Sequence, residues 1–392
     1  MPQPANRLRS LSDYPLATLG RRVEELKSKG IDIINLDVGS PDMPPPEVVI
    51  DTLSEMAHKP NTHGYSGYRG PKSFREAVAR YYARRFGVEV DPETQILPLV
   101  GSKEGIVNLC LAYLDRGDVA LVPDIGYPSY SLGAYLAGAS VHWLPVNEET
   151  GFLPDLDALS HNLPSGAKLL WMNYPNNPTG AVASLEFYQQ AVNFCREHDL
   201  LLASDNPYVD VTYDGFKAGS VLQTNGALDC SVEFISFSKT YNMAGWRLGA
   251  AVGSQTAIRN LLQVKSNFDS GHFLPIYEAG ITALDEIPSS WIHDRNMVYQ
   301  RRRDIMLEAL PQAGLTPYHP GGALYLWGKV TDPSLDGASY AEQALLNAHV
   351  SMAPGAIYGP GGTQYVRLSV CTTDKRLDEA LGRLKQWYQE RN

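Results

Sequence analysis

A short stretch of the chain, ISFSKTYNMAGWRLG at residues 235–249, concentrates reactive side chains directly behind an apolar run. The amine of Lys239 can form a Schiff base with an aldehyde. Ser236, Ser238 and Arg247 offer hydroxyl and guanidinium donors that suit a phosphate. The segment from Ser236 to Lys239 also satisfies the S-x-x-K pattern of serine acyltransferases. Alone, the stretch predicts either a phosphate site with a reactive lysine or an acyl-transfer site.

Three further polar clusters lie where predicted strands end: GSKEG at 101–105, NYPNNPTG at 173–180 and SDNPY at 204–208. The carboxyl ends of parallel strands meet at one edge of a sheet, where ligands bind. Asp205 can keep a pyridinium nitrogen protonated by direct Coulomb attraction. The N–H groups of a helix that begins just after Ser102 can face a phosphate. The clusters together suit an aromatic cofactor that carries an aldehyde and a phosphate.

The elements that must position these side chains are strands that alternate with helices. One predicted helix, SLEFYQQAVNFCREH, places Phe187, Ala191 and Phe194 on a single face. This alternation predicts an α/β fold, a three-layer α/β/α large domain whose mostly parallel sheet is covered by helices on both faces. The apolar runs that predict its strands are VALVP, VHWLP, KLLWMN, LLLAS, VEFIS and LGAAVG.

The pattern changes after residue 285 to a long charged helix, SSWIHDRNMVYQRRRDIMLEAL. It is followed by ALYLWGKV, by a helix YAEQALLNAH and by a strand-like YVRLSV. This order predicts a second, smaller α+β domain, and 392 residues exceed what one core usually holds. We expect a large cofactor-binding domain at 50–285 and a small domain made of 1–49 and 286–392.

The composition of the chain indicates which classes of partner and which compartment to expect. A hydrophobic content of 44% and a charged content of 19% are typical of a soluble globular chain. The net charge of -10 argues against a nucleic-acid partner, because phosphate-backbone binders concentrate Lys and Arg. The start, MPQPANRLRSLSDYPL, lacks the apolar core of a signal peptide, and no run is long enough to cross a bilayer, so we expect a cytoplasmic protein. Four scattered cysteines and the absence of CxxC or HxxxH pairs predict reduced thiols and no metal site.

In these motifs the chain resembles the class I/II aminotransferases of fold type I, which use pyridoxal 5'-phosphate. The resemblance rests on NNPTG at 176–180, on Asp205 with Tyr208 three residues later, and on Ser-x-Ser-Lys-x7-Arg at 236–247. It implies an enzyme that moves an amino group between an L-amino acid and a 2-oxo acid by a two-stage ping-pong mechanism. Further matches, in the family's order, are LDVGSPD at 36–42, HGYSGYRG at 63–70, GYPSY at 126–130 and YVRLSV at 365–370.

The resemblance implies roles for the residues around the cofactor ring. Lys239 would be the Schiff-base lysine and would shuttle the proton between the substrate Cα and the cofactor C4'. Asp205 would pair with the ring nitrogen, and Asn177 and Tyr208 would hydrogen-bond the ring O3'. Tyr127 would stack on the face of the ring.

The resemblance also implies a phosphate cradle and a shared site. Tyr65 matches the tyrosine that reaches the phosphate of the neighbouring subunit, which implies a homodimer. The residues of the same chain that would hold the phosphate are Ser102, Lys103 through its backbone, Ser236, Ser238 and Arg247.

Arg367 matches the arginine that grips the substrate α-carboxylate through a bidentate fork. Gly39 would leave room for that carboxylate near the N-terminal segment. Together with Asn177, Arg367 would orient the substrate so that its Cα–H bond, rather than its bond to the carboxylate, lies perpendicular to the ring. This orientation favours transamination over the lyase and decarboxylase reactions of the same cofactor.

Within the family, NYPNNPTGA, SKTYNMAGWR and VKSNFDSG look most like the LL-diaminopimelate aminotransferase branch, with 2-oxoglutarate as the amino acceptor. Two features depart from that branch. Some members carry a glutamate, associated with the distal amine of the substrate, where this chain has Tyr68. The loop at 266–275 runs into an unusually aromatic HFLPIYEAG. Aspartate, alanine and aromatic amino acids therefore remain alternative substrates.

Two rivals come from other classes of protein. The SxxK serine acyltransferases also share SDN at 204–206, but a KTG motif is missing and the order of the two motifs is reversed. A regulator that binds the cofactor without chemistry would lack some expected residue, and none is missing. Taken singly, residues also have structural explanations, since Tyr127 and Tyr130 could be core and Arg367 could face outward from a strand.

Overall fold

The computed structural model describes residues 1–9 and 15–391. Its strands are β1 Ile34–Asn35, β2 Ile96–Leu99, β3 Val119–Pro123, β4 Ser140–Leu144, β5 Ala167–Met172, β6 Leu201–Asp205, β7 Ser231–Ser236, β8 Gly249–Gly253, β9 Leu315–Pro317, β10 Tyr325–Val330, β11 Val350–Ser351, β12 Ala353–Pro354 and β13 Tyr365–Ser369. Its helices are α1 Asn6–Arg9, α2 Pro15–Ser28, α3 Glu47–Ala57, α4 Lys72–Phe86, α5 Ser102–Tyr113, α6 Ser129–Ala137, α7 Leu156–His161, α8 Leu185–Glu197, α9 Ala227–Cys230, α10 Phe237–Thr240, α11 Gln255–Lys265, α12 Leu274–Glu286, α13 Ser289–Ala309, α14 Gly337–Gln343 and α15 Asp374–Arg391.

The central sheet has seven strands in the order β2-β8-β7-β6-β5-β3-β4. The pairs from β7 to β4 are parallel, whereas β8 is antiparallel to both of its neighbours. Strand β2 consequently runs in the same direction as β7, and six carboxyl ends face one edge. The predicted mostly parallel α/β fold is confirmed, and each of the six apolar runs coincides with a strand to within one residue at either end.

Both faces of this sheet are buried. Strands β6, β7 and β8 have every residue buried. One apolar core packs on the face that carries Leu202 and Ile235, and another packs on the face that carries Ala203 and Phe234. Helix α8 follows the predicted amphipathic pattern, and at its start the Ser184 hydroxyl accepts a hydrogen bond from the Phe187 N–H.

A smaller sheet follows in the chain, with the order β12-β13-β10-β9 and all pairs antiparallel. Its register sets Trp327 opposite Arg367. A separate apolar core forms on this sheet and includes Leu326, Leu368 and Leu384. The predicted long helix is α13, and α14 continues into a π-helical turn at Ala344–Ala348. None of the helices in the described ranges combines the length and apolarity of a membrane span.

Candidate active site

The polar clusters converge at the carboxyl edge of the central sheet, around a cavity of about 300 Å³. Asp205 is the last residue of β6 and Ser236 the last of β7, while α5 begins three residues after β2. The cavity is lined by Leu16, Gly39, Ser102, Lys103, Tyr127, Asn173, Asn177, Asp205, Pro207, Tyr208, Ser236, Ser238, Lys239, Ala244, Arg247, Tyr325 and Arg367. Every site residue predicted from the sequence lines it, except Tyr65.

Lys239 lies in α10, a single helical turn directly after β7. Its Nζ atom donates a hydrogen bond to the backbone carbonyl of Gly39. Burial, together with the charges of Arg367 and Arg247, lowers the pKa of this amine to about 8. An amine with that pKa is partly neutral near pH 7, so Lys239 can act as a nucleophile or a base.

Asp205 is buried and lines the cavity, and its two oxygens differ. Oδ2 accepts a hydrogen bond from the Tyr130 hydroxyl at 2.7 Å. Oδ1 accepts none from any described residue. Burial raises the pKa of the carboxyl to about 7. A buried oxygen that lacks a donor fits a cationic N–H group, which would also hold the carboxylate in its charged form.

Two hydroxyls, a guanidinium and a helix N-terminus form a cradle at one end of the cavity. Ser236 Oγ accepts from the backbone N–H of Ser238 at 3.3 Å, and Arg247 NH1 lies 3.5 Å from Ser238 Oγ. Helix α5 begins at Ser102 without a side-chain cap. Gly101 has a φ of 79°, and a Cβ there would overlap the Arg247 guanidinium. This donor set fits a phosphate dianion.

Arg367 also lines the cavity and is 2% exposed. Its NH1 donates to Asn177 Oδ1 at 2.9 Å, and its NH2 donates to the Asp37 carbonyl at 2.6 Å. Its Nε donates to no described residue. Its guanidinium lies 3.9 Å from the centre of the Tyr325 ring. A buried guanidinium held in this way can bind a planar carboxylate.

The remaining predicted residues complete the cavity wall. Asn177 donates its backbone N–H to Asn173 Oδ1 at 2.8 Å. The hydroxyl of Tyr208 lies 2.9 Å from that of Tyr325. Tyr127 packs edge-on against Tyr130, with ring centres 5.8 Å apart. Tyr130 is thus both a core residue, as one structural explanation held, and the donor to Asp205.

Tyr65 lies outside the cavity and is 92% exposed. The SxxK alternative also fails on geometry, because the Ser204 hydroxyl donates to Glu233, and Ser204 does not line the cavity. Within the described residues no group of three or more His, Cys, Asp or Glu side chains could hold a metal ion.

Sequence reasoning missed several residues around the site. Asn173 lies inside NYPNNPTG, but no role was predicted for it; its Nδ2 donates to the Asp205 backbone carbonyl at 2.6 Å. Tyr325 lies inside the run ALYLWGKV, for which no role was predicted. No local pattern marks Tyr325, because its place beside Arg367 depends on the register of β10 and β13. Leu16, Pro207 and Ala244 were not singled out either.

The residues present fit pyridoxal 5'-phosphate. The oxygen of Asp205 without a donor suits a protonated ring nitrogen, the cradle suits the phosphate, and the depressed pKa of Lys239 suits a lysine that reacts with an aldehyde.

Comparisons with known proteins agree with this chemistry. The family described as Aminotransferase class I and II matches residues 31–384. The LL-diaminopimelate aminotransferase of Moorella thermoacetica is 44% identical, with 98% of each chain covered. The substrate-bound structure of BacF from Bacillus subtilis superposes with a TM-score of 0.94, at 32% identity over 98% of each chain. Aspartate aminotransferase from Thermus thermophilus, solved with maleate, gives a TM-score of 0.92 at 29% identity over 99% of this chain and 100% of that one.

The chain belongs to the class I and II aminotransferase family. It is a pyridoxal-phosphate-dependent aminotransferase of fold type I.

Proposed function

We propose that the protein exchanges an amino group between LL-diaminopimelate and 2-oxoglutarate, as a step of amino-acid biosynthesis. The observation that carries this proposal is the 44% identity to the Moorella thermoacetica enzyme over nearly the whole of both chains. The more distant aspartate aminotransferase supports the reaction class but not its substrate.

In this proposal Lys239, in the single helical turn α10, transfers the proton during the reaction. The bound cofactor supplies an aldehyde and an electron-withdrawing ring. The neutral amine of Lys239 takes the proton from the substrate Cα, holds it on Nζ and delivers it to the C4' carbon of the cofactor. Asp205, as a carboxylate, keeps the ring nitrogen protonated, and Tyr208 with Asn177 donates to the ring oxygen. What supports these roles is that all four side chains line one cavity.

Two groups of residues hold the reactants in place. The phosphate is bound by Ser236, Ser238, Arg247 and the N-terminus of α5. The hydrogen-bond donors that lie close together there support this role. Tyr127 covers the ring. Arg367 and Asn177 bind the α-carboxylate, and the glycine at position 39 leaves space beside it. Burial of the Arg367 guanidinium strengthens its attraction for a carboxylate.

A half-reaction tests the substrate. The purified holoenzyme, with no 2-oxo acid present, is mixed with LL-diaminopimelate, aspartate, alanine, phenylalanine or lysine, and the loss of visible cofactor absorption is followed. We expect the fastest loss with LL-diaminopimelate, and slow loss with L-lysine, which lacks the distal carboxylate. The Lys239→Ala variant is the control and should be inert with all five. If aspartate reacts ten times faster than LL-diaminopimelate, the substrate is wrong while the reaction class stands.

We also propose a homodimer in which Tyr65 completes the partner's phosphate site. The observation that supports it is a patch of exposed aromatic side chains on two loops, which are joined by a 2.7 Å hydrogen bond from Ser66 Oγ to the His272 carbonyl. The aromatic residues and their exposures are Tyr65 92%, Tyr68 55%, Phe268 65% and Phe273 40%.

Subunit mixing tests the shared site. Inactive Tyr65→Ala and Lys239→Ala proteins are unfolded together, refolded and assayed. A hybrid dimer contains one site with both natural residues, so about a quarter of the activity should return. Light scattering gives the mass of the assembly. No recovered activity in a dimer of the correct mass would contradict the shared site.

The division into domains, at 50–285 against 1–49 with 286–392, is likewise a proposal. The separate apolar cores on the two sheets support it. Hydrogen exchange that shows one cooperative unit across both sheets would contradict it.

We also propose a cytoplasmic location. The buried free thiols of Cys110, Cys195 and Cys371 suit a reducing compartment, and cell fractionation tests the proposal.

A further inference from the structure

We propose that Tyr325 is a positioning residue that couples the two halves of the site: its ring orients Arg367 and its hydroxyl orients Tyr208. The inference rests on the proposed roles of Arg367 toward the substrate carboxylate and of Tyr208 toward the cofactor. It adds a residue of the small sheet to a site whose cofactor-binding residues come mostly from the large one.

The ring of Tyr325 fixes the plane of the guanidinium. Tyr325 lies on β10 two residues before Trp327, which is paired with Arg367 on β13, so Tyr325 and Arg367 share one face as diagonal neighbours. The guanidinium lies 3.9 Å from the ring centre of Tyr325 and 5.0 Å from that of Tyr358. Two hydrogen bonds, to Asn177 and Asp37, hold its edge. Replacing the Tyr325 ring by an aliphatic side chain removes a desolvated cation–π contact and frees the guanidinium to tilt.

The hydroxyl of Tyr325 sets the direction of the Tyr208 proton. The two hydroxyl oxygens are 2.9 Å apart, and both side chains are buried. If Tyr208 donates its proton into the cavity, the proton between the two oxygens belongs to Tyr325. A chain of donors then runs from Tyr325 through Tyr208 to the cavity, and each donor polarises the next.

The same hydroxyl also bounds the position of Gly39. A Cβ at Gly39 would overlap the Tyr325 oxygen. The carbonyl of Gly39 accepts the hydrogen bond from Lys239 Nζ. Tyr325 therefore contacts or limits the position of residues on three sides of the cavity.

Two variants of the holoenzyme separate the ring from the hydroxyl. Tyr325→Leu removes both, and it should raise KM for the amino acid about 10- to 30-fold, with a smaller change in kcat. Tyr325→Phe keeps the ring, so KM should stay within about twofold. It should instead move the midpoint of the spectrophotometric pH titration of the holoenzyme upward by roughly 0.5–1 pH unit. The direction follows because a weaker donor at Tyr208 stabilises the deprotonated ring oxygen less.

Controls separate this inference from the proposed function. Tyr340→Phe removes another buried hydroxyl, which donates to the Ala313 carbonyl away from the cavity, and should change neither readout. Arg367→Lys serves as the benchmark for carboxylate binding. If Arg367→Lys leaves KM unchanged, the proposed role of Arg367 is wrong. If it raises KM while Tyr325→Leu does not, or if Tyr325→Phe leaves the titration midpoint unmoved, the inference about Tyr325 is overturned and the proposed function stands.

Discussion

Two buried carboxylates on neighbouring strands, Asp205 on β6 and Glu233 on β7, are treated differently by the fold. Glu233 is wholly buried and accepts from five donors: Tyr82 Oη at 2.9 Å, Ser204 Oγ at 3.2 Å, Asn206 Nδ2 at 3.3 Å, Ser220 Oγ at 2.6 Å and the Val221 N–H at 3.1 Å. Asp205 is almost as buried, yet among the described residues it has the Tyr130 hydroxyl alone, and one oxygen has no donor.

The difference follows from the two faces of the sheet. Ser204 and Asn206 flank Asp205 and, by strand alternation, point to the other face, where they bond Glu233. Burial raises the pKa of both carboxyls; several hydrogen-bond donors oppose that rise at Glu233, whereas the Tyr130 hydroxyl alone opposes it at Asp205. An incompletely bonded buried group is costly, so the fold retains it where a ligand will satisfy it. We therefore propose that Glu233 is a structural residue and that Asp205 binds the cofactor.

The largest effect should come from Asp205→Asn in the holoenzyme. The amide keeps the shape of the side chain but cannot hold the ring nitrogen charged, so kcat should fall by about 10²- to 10³-fold. Steady-state assays at saturating substrate measure it, with Glu233→Gln as the matched control, expected within about threefold of the natural enzyme. Equal losses in the two variants would erase the distinction between the carboxylates.

The next effect concerns pH and the cofactor-free protein. Unfolded Asp205 loses its proton near pH 4, whereas the folded carboxyl holds it to about pH 7. Between these values the unfolded state binds fewer protons, so the free energy of unfolding falls as pH rises. Asp205→Asn removes this dependence and should be more stable than the natural protein at pH 8, by no more than about 4 kcal/mol, and nearly equal at pH 4. Denaturant titrations at the two pH values measure the difference, and a gap that does not change with pH would count against it.

Glu233→Gln should lower the free energy of unfolding by about 2–3 kcal/mol. An amide brings its own N–H donors to a site built from donors, and the backbone N–H of Val221 cannot reverse its direction. Urea unfolding of the cofactor-free protein measures the loss. A variant as stable as the natural protein would show that the five hydrogen bonds do not stabilise the sheet.

The smallest effects come from a matched pair of tyrosines. Tyr130→Phe removes the donor to Asp205, and should lower kcat about fivefold because one hydrogen bond contributes about 1 kcal/mol. Tyr82→Phe removes one of the donors to Glu233, and should cost about 1 kcal/mol of stability with kcat unchanged. Measurements of kcat and of the free energy of unfolding on both variants should show a loss of activity in Tyr130→Phe and a loss of stability in Tyr82→Phe. Equal changes in both quantities for the two variants would contradict the distinction between Asp205 and Glu233.

The comparison of Asp205 with Glu233 also shows which contacts could be predicted from the sequence. Ser236, Ser238, Lys239 and Arg247 lie within twelve residues, and Asp205 ends an apolar run, so a local pattern was enough to predict that they meet. Glu233 looked like one polar residue inside the run VEFIS. Its partners on α4 and near residue 220 are brought to it only by the packing of the helix on the sheet.

Tertiary context decided other features too. The antiparallel direction of β8 has no sequence signal, because a strand buried on both faces reads alike in either direction. Tyr325 and Arg367 are 42 residues apart in the chain, and they meet only because β10 pairs with β13. No sequence motif encodes that pairing. Strand ends and local motifs were therefore predictable, whereas the groups that support them were not.

The state of the ring nitrogen tests the central claim most directly. The protein is loaded with pyridoxal 5'-phosphate labelled with ¹⁵N in the ring, and the nitrogen shift is measured between pH 6 and pH 9 in the natural enzyme, Glu233→Gln and Asp205→Asn. The incompletely bonded oxygen of Asp205 predicts a protonated nitrogen throughout in the first two proteins and a neutral one in the third. A nitrogen that is protonated alike in all three would contradict the assignment of Asp205 as the residue that binds it.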